Sequence, residues 1–229
     1  MSPTGSLTTL TRAELASCID HTILRPEATR AEVGQVASLA VEWGCASVCV
    51  QPEHVAFVAE LVGGRLPVCS VVGFPHGATL ARVKAEEAAA VVALGASEVD
   101  VVIGLGAVAE GEIDEVRHEV AAVRAAVPHA VLKVIVESAL WTPPVLSAVC
   151  EAAIDAGADY VKTSTGFHPA GGADVAAVRV MREAVGRRAR IKASGGLRTL
   201  EDCLAVLEAG ADRLGLSATG SILAELDAR

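Results

Sequence analysis

The sequence predicts a single α/β domain, a (β/α)8 barrel of the TIM type, and three observations carry that expectation. A phrase recurs along the chain: a helical stretch, a glycine, a small residue, then an apolar strand, as in VEWGCASVCV, VALGASEVDVVI, DAGADYVKT and EAGADRLGLS. Its glycines are Gly44, Gly95, Gly157 and Gly210, placed where a residue just past a helix takes the left-handed cap. Their spacings of 51, 62 and 53 residues are too long for one strand–helix unit and suit two. Strands and helices alternate with mostly short connections, which is the pattern of a parallel sheet covered by helices. Eight such units fill the 229 residues, and no linker or low-complexity segment divides them. An open doubly wound sheet is the alternative, but no G-x-G-x-x-G follows the first strand.

The elements follow in order within one domain, residues 1–229, of which 1–10 are expected to form a flexible leading segment. SCIDHTIL is the first strand, and a helix is expected over 30–43. The second strand ends VEWGCASVCV and leads to a helix over 52–63. RLPVCSVVG is the third, followed by a helix over 78–94 with Thr79 near its cap. SEVDVVI precedes a helix over 113–127. AVLKVIVES precedes one over 143–156, where Thr142 stands before Pro143 and Pro144, residues suited to a first turn. YVKT leads to a helix over 173–186. ARIKASGG leads to one over 199–209, with Thr199 at the cap and Glu201 and Asp202 in the first turn. RLGLS is the eighth strand, before a short helix near 219–227.

Composition excludes several function classes. Apolar residues make up 52% and aromatic residues 3%, so the core is Ala, Val, Leu and Ile. A net charge of −9 speaks against a nucleic-acid or anionic-membrane binder, which would need a basic face. An anionic substrate would need a locally built site. The six cysteines form no C-x-x-C pair and no Cys/His spacing typical of zinc, so a reducing cytoplasm is expected. MSPTGSLTT lacks the pattern of a signal peptide, and no apolar run approaches the ~20 residues of a spanning helix.

Charged residues fall at matching strand parity. Alternate residues share one face of a strand, and the helix-facing side of a barrel must be apolar. Asp20 with Thr22, Cys49 with Gln51, Asp100, Lys133 with Glu137, Lys162 with Ser164, and Lys192 with Ser194 are therefore expected to point inward. One lysine near a strand end ordinarily snorkels to water. Three lysines and two aspartates on five strands point to a functional cluster, with a structural ion-pair network as the bland alternative. Ammonium groups repel cations and offer no lone pair, so no metal is expected. Burial and a neighbouring ammonium both favour the free amine of a lysine, which can attack a carbonyl and form a Schiff base. The protonated imine is an electron sink beside which a carbon–carbon bond can break or form. Asp100 and a second lysine could relay the protons.

A phosphate clamp is also expected. KASGGLRTLED places Gly195 and Gly196 between the seventh strand and a helix start, and RLGLSATGSIL places Gly215, Ser217 and Thr219 after the eighth. Barrels commonly hold phosphate there with backbone N–H groups and a helix dipole.

These residues resemble the deoxyribose-phosphate aldolase family of class I aldolases. The resemblance spans nearly the whole chain: IDHTIL (19–24), VCVQPEHV (48–55), VVGFPHGAT (71–79), EVDVVIGLGA (98–107), LKVIVES (132–138), VKTSTGF (161–167) and KASGGLRT (192–199). It implies a barrel that reversibly joins acetaldehyde to glyceraldehyde 3-phosphate, giving 2-deoxy-D-ribose 5-phosphate, in deoxyribose catabolism and without a cofactor. By the same matches Lys162 is the Schiff-base lysine, Lys192 the second lysine and Asp100 the proton-relay carboxylate. Asp20 and Lys133 are supporting polar residues, while Thr165, Gly166, Gly195, Gly196, Gly215 and Ser217 line the substrate and its phosphate. The implied partners are a sugar phosphate and aldehydes, and a homodimer or homotetramer is open. Another Schiff-base aldolase with a different donor, or a non-catalytic sugar-phosphate binder, are the competing readings. The chain departs from many members at Gln51 and Gly104 and from some at Phe167 and Ala218, and LAELDAR offers no counterpart to a C-terminal tyrosine found in some. These positions bear on phosphate affinity and turnover, not on the lysines.

Overall fold

The computed structural model describes residues 10–229. Its eight strands are β1 (Ile19–Ile23), β2 (Ser47–Val50), β3 (Val68–Val72), β4 (Glu98–Val102), β5 (Val131–Ile135), β6 (Tyr160–Lys162), β7 (Arg190–Ser194) and β8 (Arg213–Leu216). Each pairs in parallel with its neighbours, and β8 closes on β1, giving a barrel in sequence order. The open-sheet alternative is therefore excluded. The helices are α1 (Arg12–Ala16), α2 (Arg30–Trp43), α3 (Val55–Val62), α4 (Ala81–Ala93), α5 (Leu105–Ala109), α6 (Ile113–Ala126), α7 (Pro143–Asp155), α8 (Val175–Val185), α9 (Leu200–Glu208) and α10 (Thr219–Asp227). None of them is long and apolar enough to cross a membrane. Of the leading segment 1–10, all but Leu10 lies outside the described residues, and Leu10 packs on the core.

Local chemistry explains most boundaries. Thr29 and Glu32 form a capping box at α2, and Thr199 and Asp202 form one at α9. Gly44 ends α2 in the left-handed region, as expected. Residues 52–54 form a 3-10 turn rather than the first turn of α3. Thr79 does not cap α4: Leu80 occupies the cap position and offers no side-chain hydrogen bond. That helix is anchored instead by buried Lys84, whose ammonium donates to the Val102 carbonyl at 2.8 Å and pairs with Glu119 of α6. Glu119 in turn accepts from Gly104 N–H at 2.8 Å, so the loop after β4 is pinned from below. Helices α1 and α5, five residues each, are shorter than the periodicity that would announce them in the sequence.

The main core is the aliphatic layer between barrel and helices, including Val33, Val58, Val91, Val120, Val149, Val178 and Val206. A small second cluster, Leu24, Cys49, Cys69 and Val71 with Phe74 against it, forms one apolar side of the barrel interior.

The loop after β3 depends on Gly77, whose φ is 66° and where an added Cβ would collide with the Ile103 carbonyl oxygen. Gly77→Ala is expected to cost about 1–3 kcal/mol, combining left-handed strain with a backbone clash. Gly64, with φ 74° but open space around it, is the control. A thermal melt should show a clearly larger fall for Gly77→Ala than for Gly64→Ala.

Candidate active site

Five strands deliver the expected charges to one point. Lys162 Nζ lies 2.8 Å from Asp100 Oδ2, and Lys192 Nζ lies 2.6 Å from the same oxygen. Lys133 Nζ reaches Asp100 Oδ1 at 3.0 Å. Asp20 Oδ2 is 2.6 Å from Lys192 Nζ, and its Oδ1 accepts from Arg213 at 2.6 Å. Glu98 Oε2 sits 2.5 Å from Lys133 Nζ. Asp20 Oδ2 and Glu98 Oε2 meet these lysines at ion-pair distance without hydrogen-bond alignment, so those contacts are electrostatic. All of these side chains are buried except that of Arg213, which is 13% exposed. Cys69 donates its S–H to Asp100 Oδ1 at 3.1 Å, and Lys133 donates to Cys69 Sγ at 3.4 Å.

The electrostatics depart from one simple expectation. Burial pulls the Lys133 and Lys192 ammonium groups toward neutrality, but the Asp100 and Asp20 carboxylates outweigh it and raise both above the ordinary lysine value. A neighbouring ammonium favours the free amine only where carboxylates do not dominate, and beside these two lysines they do. Burial likewise pushes the Asp100 carboxyl up, yet Lys133, Lys162 and Lys192 hold it well below the carboxylate range. Asp20 is held down by Lys192, Lys133 and Arg213 against its own desolvation.

These shifts set a stability profile. A depressed carboxyl stabilises the fold above its ordinary value of 3.8, and that contribution is lost as pH falls through the folded value. A raised lysine stabilises it below 10.5, and that is lost as pH rises through the folded value. The cluster's own contribution to the denaturant midpoint should therefore stay level from about pH 4 to pH 10. Buried His21 is held below its ordinary 6.5, and buried Cys45, Cys150 and Cys203 are held above their ordinary 9.0, so they lower the midpoint on the acid side of the first value and the alkaline side of the second. A steep change in the midpoint between about pH 7 and pH 8, where neither the cluster nor these groups change charge, would contradict this account.

Folding also gathers groups that sequence spacing keeps apart. Cys49, Cys69 and Asp100 bring their ligand-type atoms within 4.8 Å of one another, as do Asp20, Cys69 and Glu98. The lysine ammonium groups stand at the same carboxylates, so neither trio presents a set of free donors to a cation.

Above the cluster, at the C-terminal ends of the strands, opens a cavity of about 540 Å³. Of the expected residues, Lys162, Thr165, Gly166, Gly195, Gly196, Gly215 and Ser217 line it. Asp20, Asp100, Lys133 and Lys192 do not: they lie beneath its floor. Lys162 is thus the one cluster lysine on the cavity wall. Gly215 leaves space for its neighbours, because a Cβ there would meet Ser194 Cβ at 2.8 Å and Lys192 Cε at 3.1 Å. Gly195 packs backbone to backbone on Gly166 and Gly172, with added-Cβ distances of 3.0 and 3.2 Å to their Cα atoms. Gly172 carries no signal in the sequence, since its close approach is across the chain.

Other expectations resolve individually. Glu137 does not join the inward charges. β5 ends at Ile135, Glu137 takes φ 49°, and its carboxylate accepts the Thr165 N–H, shaping the loop after β6. Gln51 donates to the Leu24 carbonyl at 2.8 Å, and Cys49 packs in the apolar side of the barrel. His21, on the outer face, meets Thr219 Oγ1 at 2.9 Å and packs its ring at a tilt against Trp43, with centroids 5.2 Å apart, which fixes the start of α10. Thr219 is buried in that contact and takes no place in the cavity. The α9 start is occupied by its own capping box, whereas Ala218, at the α10 cap, supplies no side-chain acceptor. The amides at the α10 start are therefore those without a side-chain cap. Arg198 and Arg25 also line the cavity and were not singled out in the sequence, nor were Glu98, Tyr160, Arg213 and Cys69.

Known proteins share this architecture. The chain is 55% identical over 219 residues to the deoxyribose-phosphate aldolase of Mycobacterium avium, covering 94% of this chain and 98% of that one. It is 54% identical over 219 residues to the deoxyribose-phosphate aldolase of Kocuria rhizophila, covering 95% and 99%. Among solved structures, the tetrameric deoxyribose phosphate aldolase from Aeropyrum pernix superposes with a TM-score of 0.86 at 34% identity, over 95% of this chain and 92% of that one. Residues 15–223 match the description "DeoC/LacD family aldolase". With the barrel, the buried lysine–aspartate cluster and these relatives together, the chain belongs to the DeoC/LacD aldolase family and is a lyase.

Proposed function

We propose that this aldolase reversibly cleaves 2-deoxy-D-ribose 5-phosphate to acetaldehyde and D-glyceraldehyde 3-phosphate through a Schiff base on Lys162, in deoxyribose catabolism. One observation carries the reading: Lys162 alone among the three lysines both touches Asp100 and faces the cavity. Its amine attacks the C1 carbonyl, and the carbinolamine loses water to give an iminium ion. That cation accepts the electron pair of the C2–C3 bond as the C3 hydroxyl gives up its proton, releasing glyceraldehyde 3-phosphate and leaving an enamine. Protonation at C2 regenerates the iminium, and water releases acetaldehyde. Asp100, bonded to both Lys162 and Lys192, is placed to pass those protons. The six free, buried cysteines fit a reducing cytoplasm.

The 5-phosphate is assigned to the uncapped start of α10, with Ser217, Gly195, Gly196 and the Arg198 cation around it. Ser217→Glu sets a carboxylate against it and should cost about 1–3 kcal/mol of binding. The KM for the phosphorylated sugar should rise far more than that for 2-deoxyribose. Equal losses on both would place the phosphate elsewhere.

The function itself is tested by incubating the protein with 2-deoxyribose 5-phosphate and measuring acetaldehyde. Acetaldehyde and glyceraldehyde 3-phosphate in equal amounts are expected. Binding without cleavage would favour the non-catalytic sugar-phosphate binder.

A further inference from the structure

We propose that Arg213 and Glu98, at the end of the barrel opposite the cavity, are positioning residues that set the pH range in which Lys162 reacts. Each is the first residue of its strand, β8 and β4, so both lie below the lysine layer. Neither lines the cavity. The inference rests on Lys162 being the nucleophile.

The argument is a charge chain. Arg213 holds Asp20 Oδ1 at 2.6 Å, while Asp20 Oδ2 holds Lys192 at 2.6 Å. Lys192 and Lys162 then share Asp100 Oδ2, at 2.6 and 2.8 Å. On the other side Glu98 holds Lys133, which also takes Asp100 Oδ1 at 3.0 Å. The described interior therefore carries four cationic side chains, Lys133, Lys162, Lys192 and Arg213, against the carboxylates of Asp20, Glu98 and Asp100. Lys162 has no carboxylate of its own; it has a share in Asp100. Around it stand Asp20 from β1, Cys49 from β2, Cys69 from β3, Glu98 and Asp100 from β4, and Lys133 from β5. Tyr160 of its own strand, Lys192 from β7 and Arg213 from β8 complete the set, with Arg190 at the outer end bonded to the Tyr160 hydroxyl at 2.8 Å.

Removing the Arg213 charge frees Asp20 to serve Lys192. Asp100 is then freer to hold a protonated Lys162, and imine formation needs higher pH. Removing the Glu98 charge does the reverse, because Lys133 then draws more on Asp100. These effects act through buried charges, where screening is weak. The opposite signs separate this role from a structural one, since loss of packing would impair both variants in the same direction.

The test measures the rate of borohydride trapping with acetaldehyde across pH, reading the label on the Lys162 peptide. Arg213→Met should raise the midpoint by about one pH unit, making trapping about tenfold slower below it. Glu98→Gln should lower it by a similar amount, and Arg213→Lys should leave it in place. A variant that does not fold hands the decision to the other, whose shift in the stated direction is then required. Label on Lys162 with midpoints unmoved, or moved the same way, overturns this inference alone. No label on Lys162 in the unaltered protein overturns the Schiff-base assignment, and this inference with it.

Discussion

Lys162→Leu is expected to abolish carbon–carbon cleavage while leaving the fold intact. Loss of a nucleophile from a preorganised site lowers kcat by roughly 10⁴–10⁶-fold. Neither Lys133 nor Lys192 can substitute, because both lie beneath the cavity floor and are held by carboxylates. Stability should not suffer, since the substitution removes a cation from a cluster that carries more cations than carboxylates. Cleavage assays and denaturant melts on one preparation check both halves. Appreciable residual turnover would mean that another amine forms the imine.

Asp100→Asn should damage both activity and stability. Asp100 meets all three lysine ammonium groups, and among the described residues no other carboxylate meets Lys162. Removing one partner of a buried ion pair leaves an uncompensated charge and costs about 3–5 kcal/mol. For a chain of this size that is a fall of about 6–20 °C in Tm. Turnover should fall by a further 10²–10⁴-fold, roughly the worth of a placed proton donor and acceptor. Imine trapping at Lys162 should persist, since water can serve that step. The pair of variants thus separates a residue that does chemistry from one that does chemistry and balances charge.

Much of this was legible in the sequence because barrels impose a strict rule. An inward residue cannot be inferred from its own chemistry, but parity along a strand decides it once the helix-facing side is known to be apolar. That logic brought Asp20, Asp100, Lys133, Lys162 and Lys192 to one point, and the structure places them there. The same parity also reaches Glu98, two residues before Asp100, and Arg213, two before Gly215. They escaped notice because a charge at a strand start normally reads as a solvated end, and only the closed barrel shows Glu98 buried and Arg213 nearly so. Parity failed at Glu137 for the opposite reason: β5 stops two residues earlier, so alternation no longer applies. Which lysine faces the cavity is a matter of depth along the barrel axis, and depth has no signature in spacing. Nor does Gly172, whose need for a bare Cα comes from Gly195 across the cavity rim.

The central claim is that one lysine, chosen by position over two buried neighbours, carries the covalent intermediate. Borohydride reduction in the presence of acetaldehyde, followed by peptide mass mapping, tests it most directly. An ethyl group replacing hydrogen, about 28 Da, is expected on the peptide bearing Lys162 and on no other lysine of the barrel interior. The label on Lys192 or Lys133, or no label while substrate is being cleaved, would contradict it.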